Sequence, residues 1–491
     1  MSSNFSYKFY KQVYCFFLKK AFIASYLCVL PIIITAQNTY TNTVYEVREE
    51  KNILYGTAIN YAGNPVDLYL DLYKPVDDQN LHRPVVVIAF GGAWVTGSRA
   101  STDVTPLIPW FVKRGYVVAS IDYRLGMHTS PAGGSNTATC SAMDGPSNCA
   151  YVADTSEFIR ASFRGMQDMK GAIRFLKARS LTDSTCRENF YVAGVSAGGF
   201  TALAAAFMND ESEKPTSAGA LPDAPTGAAS LNYCHQTHNP PGADISLKRP
   251  DLGSIEGTIA LNGENSHVQG VANFFGGMIW NFLENTQADD APLLYLYHKT
   301  SDPIVPCGYT PLLAPLSYDC LDPFAFLGCK HIWNTPWAWG SCAIKNMIDA
   351  KGYPISYFNA LKSTGGPNCL ENPPGHSYQD APKRVEEISN FFSPRIMATE
   401  QISCALVTGQ TNHSKPLICR ISPNPAYNHL YIHAQPGIYS CTITDLSGRL
   451  LASYRQEEPV LDVSTLNDGL YLLHYSGAEG LSTLRFIKTS H

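Results

Sequence analysis

A chain of 491 residues, 45% hydrophobic and 16% charged, has enough apolar material for a sizeable core and excludes a disordered or coiled-coil protein. Its 36 Lys and Arg against 41 Asp and Glu leave a net charge of −5, without the basic excess that nucleic-acid binding needs, so no nucleic-acid partner is expected. Fourteen cysteines point to disulfides and an oxidising compartment rather than to zinc, because no CxxC pair occurs.

Residues 1–36 carry Lys8, Lys11, Lys19 and Lys20, no acidic residue, and then the apolar run "AFIASYLCVLPIIIT" ending in "TAQ". This reads as a secretory signal peptide cut near Ala36. The competing reading is a membrane anchor, but the run, broken by Pro31, is shorter than the roughly 20 residues that a bilayer needs. Removal of the segment makes the remainder more acidic and also takes Cys15 and Cys28, leaving an even number of cysteines. Cys140 with Cys149, Cys320 with Cys329 and Cys404 with Cys419 are then plausible local clips.

Residues 37–395 read as one α/β unit. "TVYEVREEKN" and "PVDLYLDLYKP" alternate apolar with polar residues, as half-exposed antiparallel strands do, whereas "RPVVVIAFGG" and "GYVVASIDYR" are almost wholly apolar, as strands covered on both faces are. A helix is predicted from about Glu157 to Ala178, with Phe163, Met166, Met169, Ile173 and Leu176 at spacings of three and four. "NFYVAGVS", "VQGVANFFGG", "APLLYLYHKT" and "PISYFNALK" supply further strands. Irregular stretches at about 127–156, 209–253 and 306–338 read either as walls and lids of a site or as disulfide-pinned surface loops. Past a linker at 396–418, residues 419–491 show short alternating strands separated by turn residues, the pattern of a small all-β sandwich.

The chemistry-bearing stretch is "VAGVSAGGFTALAAAF", residues 192–207, where Ser196 stands among glycines between a predicted strand and a predicted helix. GxSxG alone is weak and Ser196 could simply cap a helix, but the strand-turn-helix context fits a nucleophile elbow, with Gly194, Gly198 and Gly199 giving room for a strained turn. In "AFGGAWVTGS", glycines end a buried strand and free backbone N–H groups for an oxyanion hole, for which Gly91, Gly92 and Ala197 are the candidate donors. A serine hydroxyl needs a base, and in this arrangement the chain order is serine, acid, histidine. Asp302 follows the strand "LLYLYHKT" and His376 stands in "PPGHSY" before the last helix of the unit. Asp289, Asp290 and Asp322 are rivals for the acid, as are His331 and His298 for the base, with His298 read as a packed strand residue.

"FGGAW", "DYRLG", "GVSAGG" and "SDPIVP" occur here in the order seen in secreted carboxylesterases, and residues 50–393 resemble the hormone-sensitive-lipase-like and feruloyl-esterase-like groups of the α/β hydrolases. The resemblance implies an α/β-hydrolase fold with a mostly parallel sheet, a Ser196–His376–Asp302 triad, ester hydrolysis, and no metal or organic cofactor. Where those groups usually carry a histidine bracing the oxyanion loop, this chain has Phe90. In the tail, "SPNPAYNHLYI", "TDLSGRLL", "DVSTLNDGLYLLHY" and "RFIK" resemble the type A C-terminal sorting domain of the type IX secretion system. That resemblance implies secretion machinery as a partner and a cell-surface or secreted location; a carbohydrate-binding or fibronectin-like sandwich is the alternative. A peptidase of the same fold and an inactive surface-binding relative also stay open. Aromatics at Phe274, Phe275, Trp280, Phe324, Phe326, Trp333, Trp337 and Trp339 suit an aryl or acyl pocket as well as core packing.

Overall fold

A computed structural model describes residues 40–128, 154–224, 246, 248–315, 335–366, 375–400, 404, 420–433, 439–445, 449–456, 460–477 and 480–490. The predicted signal segment, the clips Cys140–Cys149 and Cys320–Cys329, Asp322, Phe324, Phe326, His331 and Trp333 lie outside these residues. The chain divides into two compact units, Met1–Ala405 and Leu406–His491.

In the first unit the two alternating segments form a hairpin, β1 (Val47–Ile59) with β2 (Pro65–Pro75), at the edge of the main sheet. The apolar runs become β3 (Arg83–Ala89) and β4 (Val117–Ile121), every residue of which is buried. Such strands carry no solvent face, which is why their sequence does not alternate. With β5 (Thr185–Val195), β6 (Gly270–Phe274), a short β7 (Gly277–Met278) outside this sheet, β8 (Leu293–Tyr297) and, beyond the short β9 (Tyr309–Pro311) and β10 (Trp337–Gly340), β11 (Tyr357–Asn359), the order is β1-β2-β4-β3-β5-β6-β8-β11. From β4 onward neighbouring strands are parallel. The carboxyl ends of β3, β5, β6 and β8 therefore lie side by side, and the turns that follow them open on one edge, where open α/β sheets place their sites.

The described helices are α1 (Ile108–Val112), α2 (Ser156–Ala178), α3 (Ser180–Asp183), α4 (Ala197–Phe207), α5 (Ser341–Lys351) and α6 (Ala381–Thr399). Helix α2 buries the predicted apolar face, but also Arg160, Arg164, Lys170, Arg174 and Lys177. Residues 208–224 and 248–267 explain this: Arg160 donates to the carbonyl of Gly219 at 2.7 Å, Lys170 to that of Met208 at 2.7 Å and Arg174 to that of Ile259 at 2.7 Å. The described parts of the 209–253 stretch thus pack against α2 through charge-assisted bonds as well as apolar residues, Ala218 being buried and Leu252 packed in the same core.

One expected clip is corrected. Cys404 is bonded to Cys186, with Cα atoms 5.5 Å apart, and not to Cys419. Helix α6 runs on to Thr399, with the carbonyl of Ile396 accepting from Asn189 at 3.0 Å, and so delivers Cys404 to the start of β5. A second disulfide joins Cys307 to Cys342. Among the described residues no helix is long and apolar enough to cross a membrane.

The second unit is all β. Strands β12 (Arg420–Ser422), β13 (His429–His433) and β16 (Val460–Asp462) form one antiparallel sheet, in the order β12-β13-β16. Strands β14 (Tyr439–Thr444), β15 (Leu450–Gln456), β17 (Gly469–Gly477) and β18 (Gly480–Lys488) form another, in the order β15-β14-β17-β18. Leu430, Ile432, Ile443, Leu461, Leu473 and Phe486 are buried together as its core.

Candidate active site

Ser196 joins β5 to α4 with φ 54° and ψ −121°, a left-handed conformation that a non-glycine residue rarely adopts. The neighbouring glycines are what allow it. A Cβ at Gly194 would lie 1.9 Å from the carbonyl oxygen of Gly198, and one at Gly198 would lie 2.1 Å from that of Ala89. The Ser196 N–H donates to the Phe274 carbonyl at 2.9 Å, and its own carbonyl accepts from Gly199 at 2.8 Å, starting the helix. Its side chain is left at the mouth of the sheet, half-buried.

The structure brings His376 and Asp302 to this serine. His376 Nε2 is 2.8 Å from Ser196 Oγ, and His376 Nδ1 is 2.6 Å from Asp302 Oδ2. A carboxylate only accepts, so Nδ1 carries the hydrogen and Nε2 is left to accept from the serine hydroxyl. Gly375, with φ 59°, lets the two loops touch: a Cβ there would lie 2.2 Å from the Ser301 carbonyl. Phe275 packs edge-on against the imidazole, ring centres 4.5 Å apart. Asp289 and Asp290, the rival acids, are exposed on the surface.

Asp302 is 2% exposed, and both carboxylate oxygens are engaged. Oδ1 accepts from the N–H groups of Ile304 at 2.9 Å and Val305 at 3.0 Å. Oδ2 faces His376 and also His298 Nε2, at 3.2 Å. Burial alone would push this carboxyl up, but the charge of His376 and the hydrogen bonds from both histidines hold it well below the usual carboxylate range.

His298 is buried as the sequence suggested, but it is more than packing. Its Nε2 lies 2.7 Å from the Val305 carbonyl, which can only accept, so Nε2 carries the hydrogen. Nδ1 then accepts from the Ser341 hydroxyl at 3.0 Å, and that hydroxyl accepts from Asn273 Nδ2 at 3.1 Å. Asn273, Ser341 and His298 are all 0% exposed. A buried chain of donors thus ends on Asp302 Oδ2, the oxygen that also faces His376. The spacing of His298 and Asp302 within one turn after β8 was the signal available for it.

The loop after β3, expected to form the oxyanion hole, departs from expectation at one donor. Gly91 does not offer its N–H to the site, because that group donates to Asp103 Oδ2 at 2.6 Å. Among the described residues, the N–H groups of Gly92 and Ala197 carry no hydrogen bond. Asp103 Oδ1 is buried without a partner, and burial pushes the Asp103 carboxyl up. Gly92, Ala93 and Trp94 follow one another with φ 107°, 52° and 58°, so the loop is strained. Aromatic packing offsets the strain: Trp94 is 2% exposed, and its Nε1 donates to Thr201 at 3.2 Å. Phe90, at the position where a bracing histidine was expected, stacks on Tyr123 with ring centres 4.5 Å apart, and the Tyr123 hydroxyl donates to the Phe90 carbonyl at 2.9 Å.

Of the aromatics singled out in the sequence, Phe274 and Phe275 are core, Trp280 packs on Phe282, and Trp339 stacks on Tyr309. Trp337 is 52% exposed. Among the described residues no group of three or more His, Cys, Asp or Glu side chains is arranged to hold a metal ion.

The BD-FAE family model matches residues 70–135, the stretch that includes the oxyanion loop, and the model of the secretion system C-terminal sorting domain matches residues 420–489. No curated protein matches the chain significantly. Among solved structures the chain is similar to a truncated carbohydrate esterase from gut microbiota, at 15% identity and a TM-score of 0.39, over 74% of this chain and 98% of the other. It is also similar to Thermogutta terrifontis esterase 2 phosphorylated by paraoxon, at 17% identity and a TM-score of 0.35, over 71% of this chain and 94% of the other. The chain thus joins an esterase-like segment within an α/β-hydrolase fold to a type IX sorting tail, and ester hydrolysis is the activity that the family match supports.

Proposed function

We propose that this protein is a secreted serine hydrolase that cleaves carboxylic esters through an acyl-enzyme on Ser196. The observation that carries this reading is the unbroken line of hydrogen bonds from Asp302 through His376 to Ser196, at 2.6 and 2.8 Å. As Ser196 Oγ attacks the ester carbonyl carbon, His376 Nε2 takes the hydroxyl proton, and Asp302 stabilises the imidazolium that forms. The tetrahedral oxyanion lies against the N–H groups of Gly92 and Ala197, each such donor being worth about 3 kcal/mol in the transition state. The developing charge also meets the N-terminal end of α4. Collapse expels the alcohol, which takes the proton from His376. Water then attacks the acyl-enzyme with His376 as base again, releasing the acid and restoring Ser196. The alcohol is either small or part of a polysaccharide.

Export fits the two ends of the chain, residues 1–36 as a cleaved signal and residues 419–491 as an address read by the type IX machinery. The test of the chemistry is hydrolysis of aryl esters of increasing acyl length by the parent and by Ser196→Ala. The expected result is turnover by the parent alone, with both proteins melting at the same temperature, since one small half-buried hydroxyl carries little packing. Equal activity in both would end this reading, and cleavage of peptide amides at rates comparable with esters would turn it into a peptidase.

A further inference from the structure

A second polar region lies between α2 and the β1–β2 hairpin, and none of its lining residues belongs to the site around Ser196. It is a cavity of about 180 Å³ whose inner wall holds Arg124, His128, Glu157, Arg160, Arg164 and Arg249. Two of these guanidinium groups have carboxylate partners: Arg124 pairs with Asp168 at 2.8 Å, and Arg249 with Asp154 at 2.6 Å. Arg160 and Arg164, one helical turn apart on α2 and each 2% exposed, have none among the described residues. Arg160 donates to the carbonyls of Ser217, Gly219 and Pro250, and Arg164 to that of Gly126.

The one carboxylate of the inner wall is already engaged. Glu157 accepts from the His128 backbone N–H at 2.9 Å and reaches Arg249 at 3.4 Å. At the exposed rim, Lys248 pairs with Asp223 and Asp251 with Lys214, and although Glu157 and Asp251 act on Arg160 from a distance, burial outweighs them. Carbonyl dipoles do not neutralise a buried cation, and burial pushes the Arg164 guanidinium down to about 9. Three polar atoms here also have no partner: Nε of Arg164 and both ring nitrogens of His128, itself 2% exposed. Buried groups of this kind are ordinarily satisfied, so three in one cavity call for an occupant.

A single anion answers both the missing charge and the missing bonds. We propose that this cavity binds a small oxyanion, a carboxylate or a tetrahedral inorganic anion, held by Arg160, Arg164 and His128. An oxyanion suits it because guanidinium N–H groups pair with oxygens in a fork, and because the volume exceeds the roughly 30 Å³ share of one water several-fold. Its exposed rim residues, Lys248 and Asp251, leave a way in.

The test is calorimetric titration of the purified protein, in low-salt buffer, with sodium sulfate, sodium acetate and sodium glucuronate. The expected result is one saturable site, unchanged in Ser196→Ala and weakened about tenfold or more in Arg160→Gln and Arg164→Met, the loss of a charge-assisted bond. Binding of sulfate alone would assign a free inorganic anion, and binding of acetate or glucuronate a carboxylate carried by an organic ligand. Crystals soaked in selenate should show anomalous density between Arg160 and Arg164, a readout that does not depend on Arg164→Met folding. No saturable heat with any of the three salts, binding that Arg160→Gln leaves unchanged, or a soaked cavity holding only water would overturn the proposal. Because the cavity is independent of Ser196, none of these results bears on the esterase reading.

Discussion

Two carboxylates flank Ser196, and their surroundings push them in opposite directions. Asp302 is buried but receives two backbone N–H groups and two imidazoles, and its carboxyl is held far down. Asp103 is also largely enclosed, but the Gly91 N–H is its strong donor, Oδ1 has no partner, and burial wins, pushing it up. Burial penalises the charged form in both; at Asp302 the charge of His376 and the hydrogen bonds of two histidines outweigh it, whereas at Asp103 the backbone donors do not. The acid flank is therefore fixed by hydrogen bonds to a charge. The oxyanion flank is fixed by ring packing at Phe90, Tyr123 and Trp94, plus one carboxyl oxygen on the Gly91 N–H.

The largest expected effect tests the acid flank directly. Asp302→Asn should lower kcat about 10⁴-fold, because an amide does not hold His376 in the tautomer that accepts from Ser196. Its stability signature has a definite sign. A carboxyl held down in the fold contributes stability that is complete above its unfolded pKa of about 4 and lost as the pH falls through the lower folded value. In urea titrations the gap between parent and Asp302→Asn should stay constant from about pH 5 to 7 and close in stronger acid. A gap that widens in acid would mean that Asp302 is not the group held down.

A smaller effect probes the brace behind the acid. His298→Gln removes the donor between Val305 and Asp302 and the acceptor for Ser341, so kcat should fall about 10²-fold while KM stays within about twofold, as expected for a group acting on the transition state through its neighbour. Ser341→Ala, which leaves the imidazole in place, should show a fraction of that loss. Equal rises in KM for both variants would make His298 part of a binding wall instead of a positioning residue.

These two flanks also differ in how legible they were. Glycine spacing marked the Ser196 elbow, and chain order pointed to Asp302 and His376, because an elbow, a post-strand acid and a late histidine are side-chain facts written in residue type. Oxyanion donors are backbone groups, and every residue but proline has one, so the sequence could not tell that the Gly91 N–H is spent on Asp103. Nothing in the sequence singled out Asp103, and His298 read as a packed strand residue, since nothing local shows which side chain a turn will face. The fold was readable from fully apolar against alternating strands. The Cys186–Cys404 bond was not, because it depends on how far α6 carries the chain beyond Ile396.

The smallest effect separates the two flanks most sharply. Asp103→Asn keeps a carbonyl oxygen for the Gly91 N–H and should change kcat less than about threefold, whereas Asp103→Ala frees the loop and should cost about tenfold, less than a full oxyanion donor. The pH signature must run opposite to that of Asp302. A carboxyl pushed up in the fold contributes stability that is complete below its unfolded pKa and is lost as the pH rises through the higher folded value. Asp103→Asn carries no such ionisation, so its stability relative to the parent should improve from pH 4 to 7, while that of Asp302→Asn worsens over the acidic part of the same interval before levelling off. If both variants shift the same way, the two histidines do not set Asp302 apart from Asp103, and the contrast between the flanks falls.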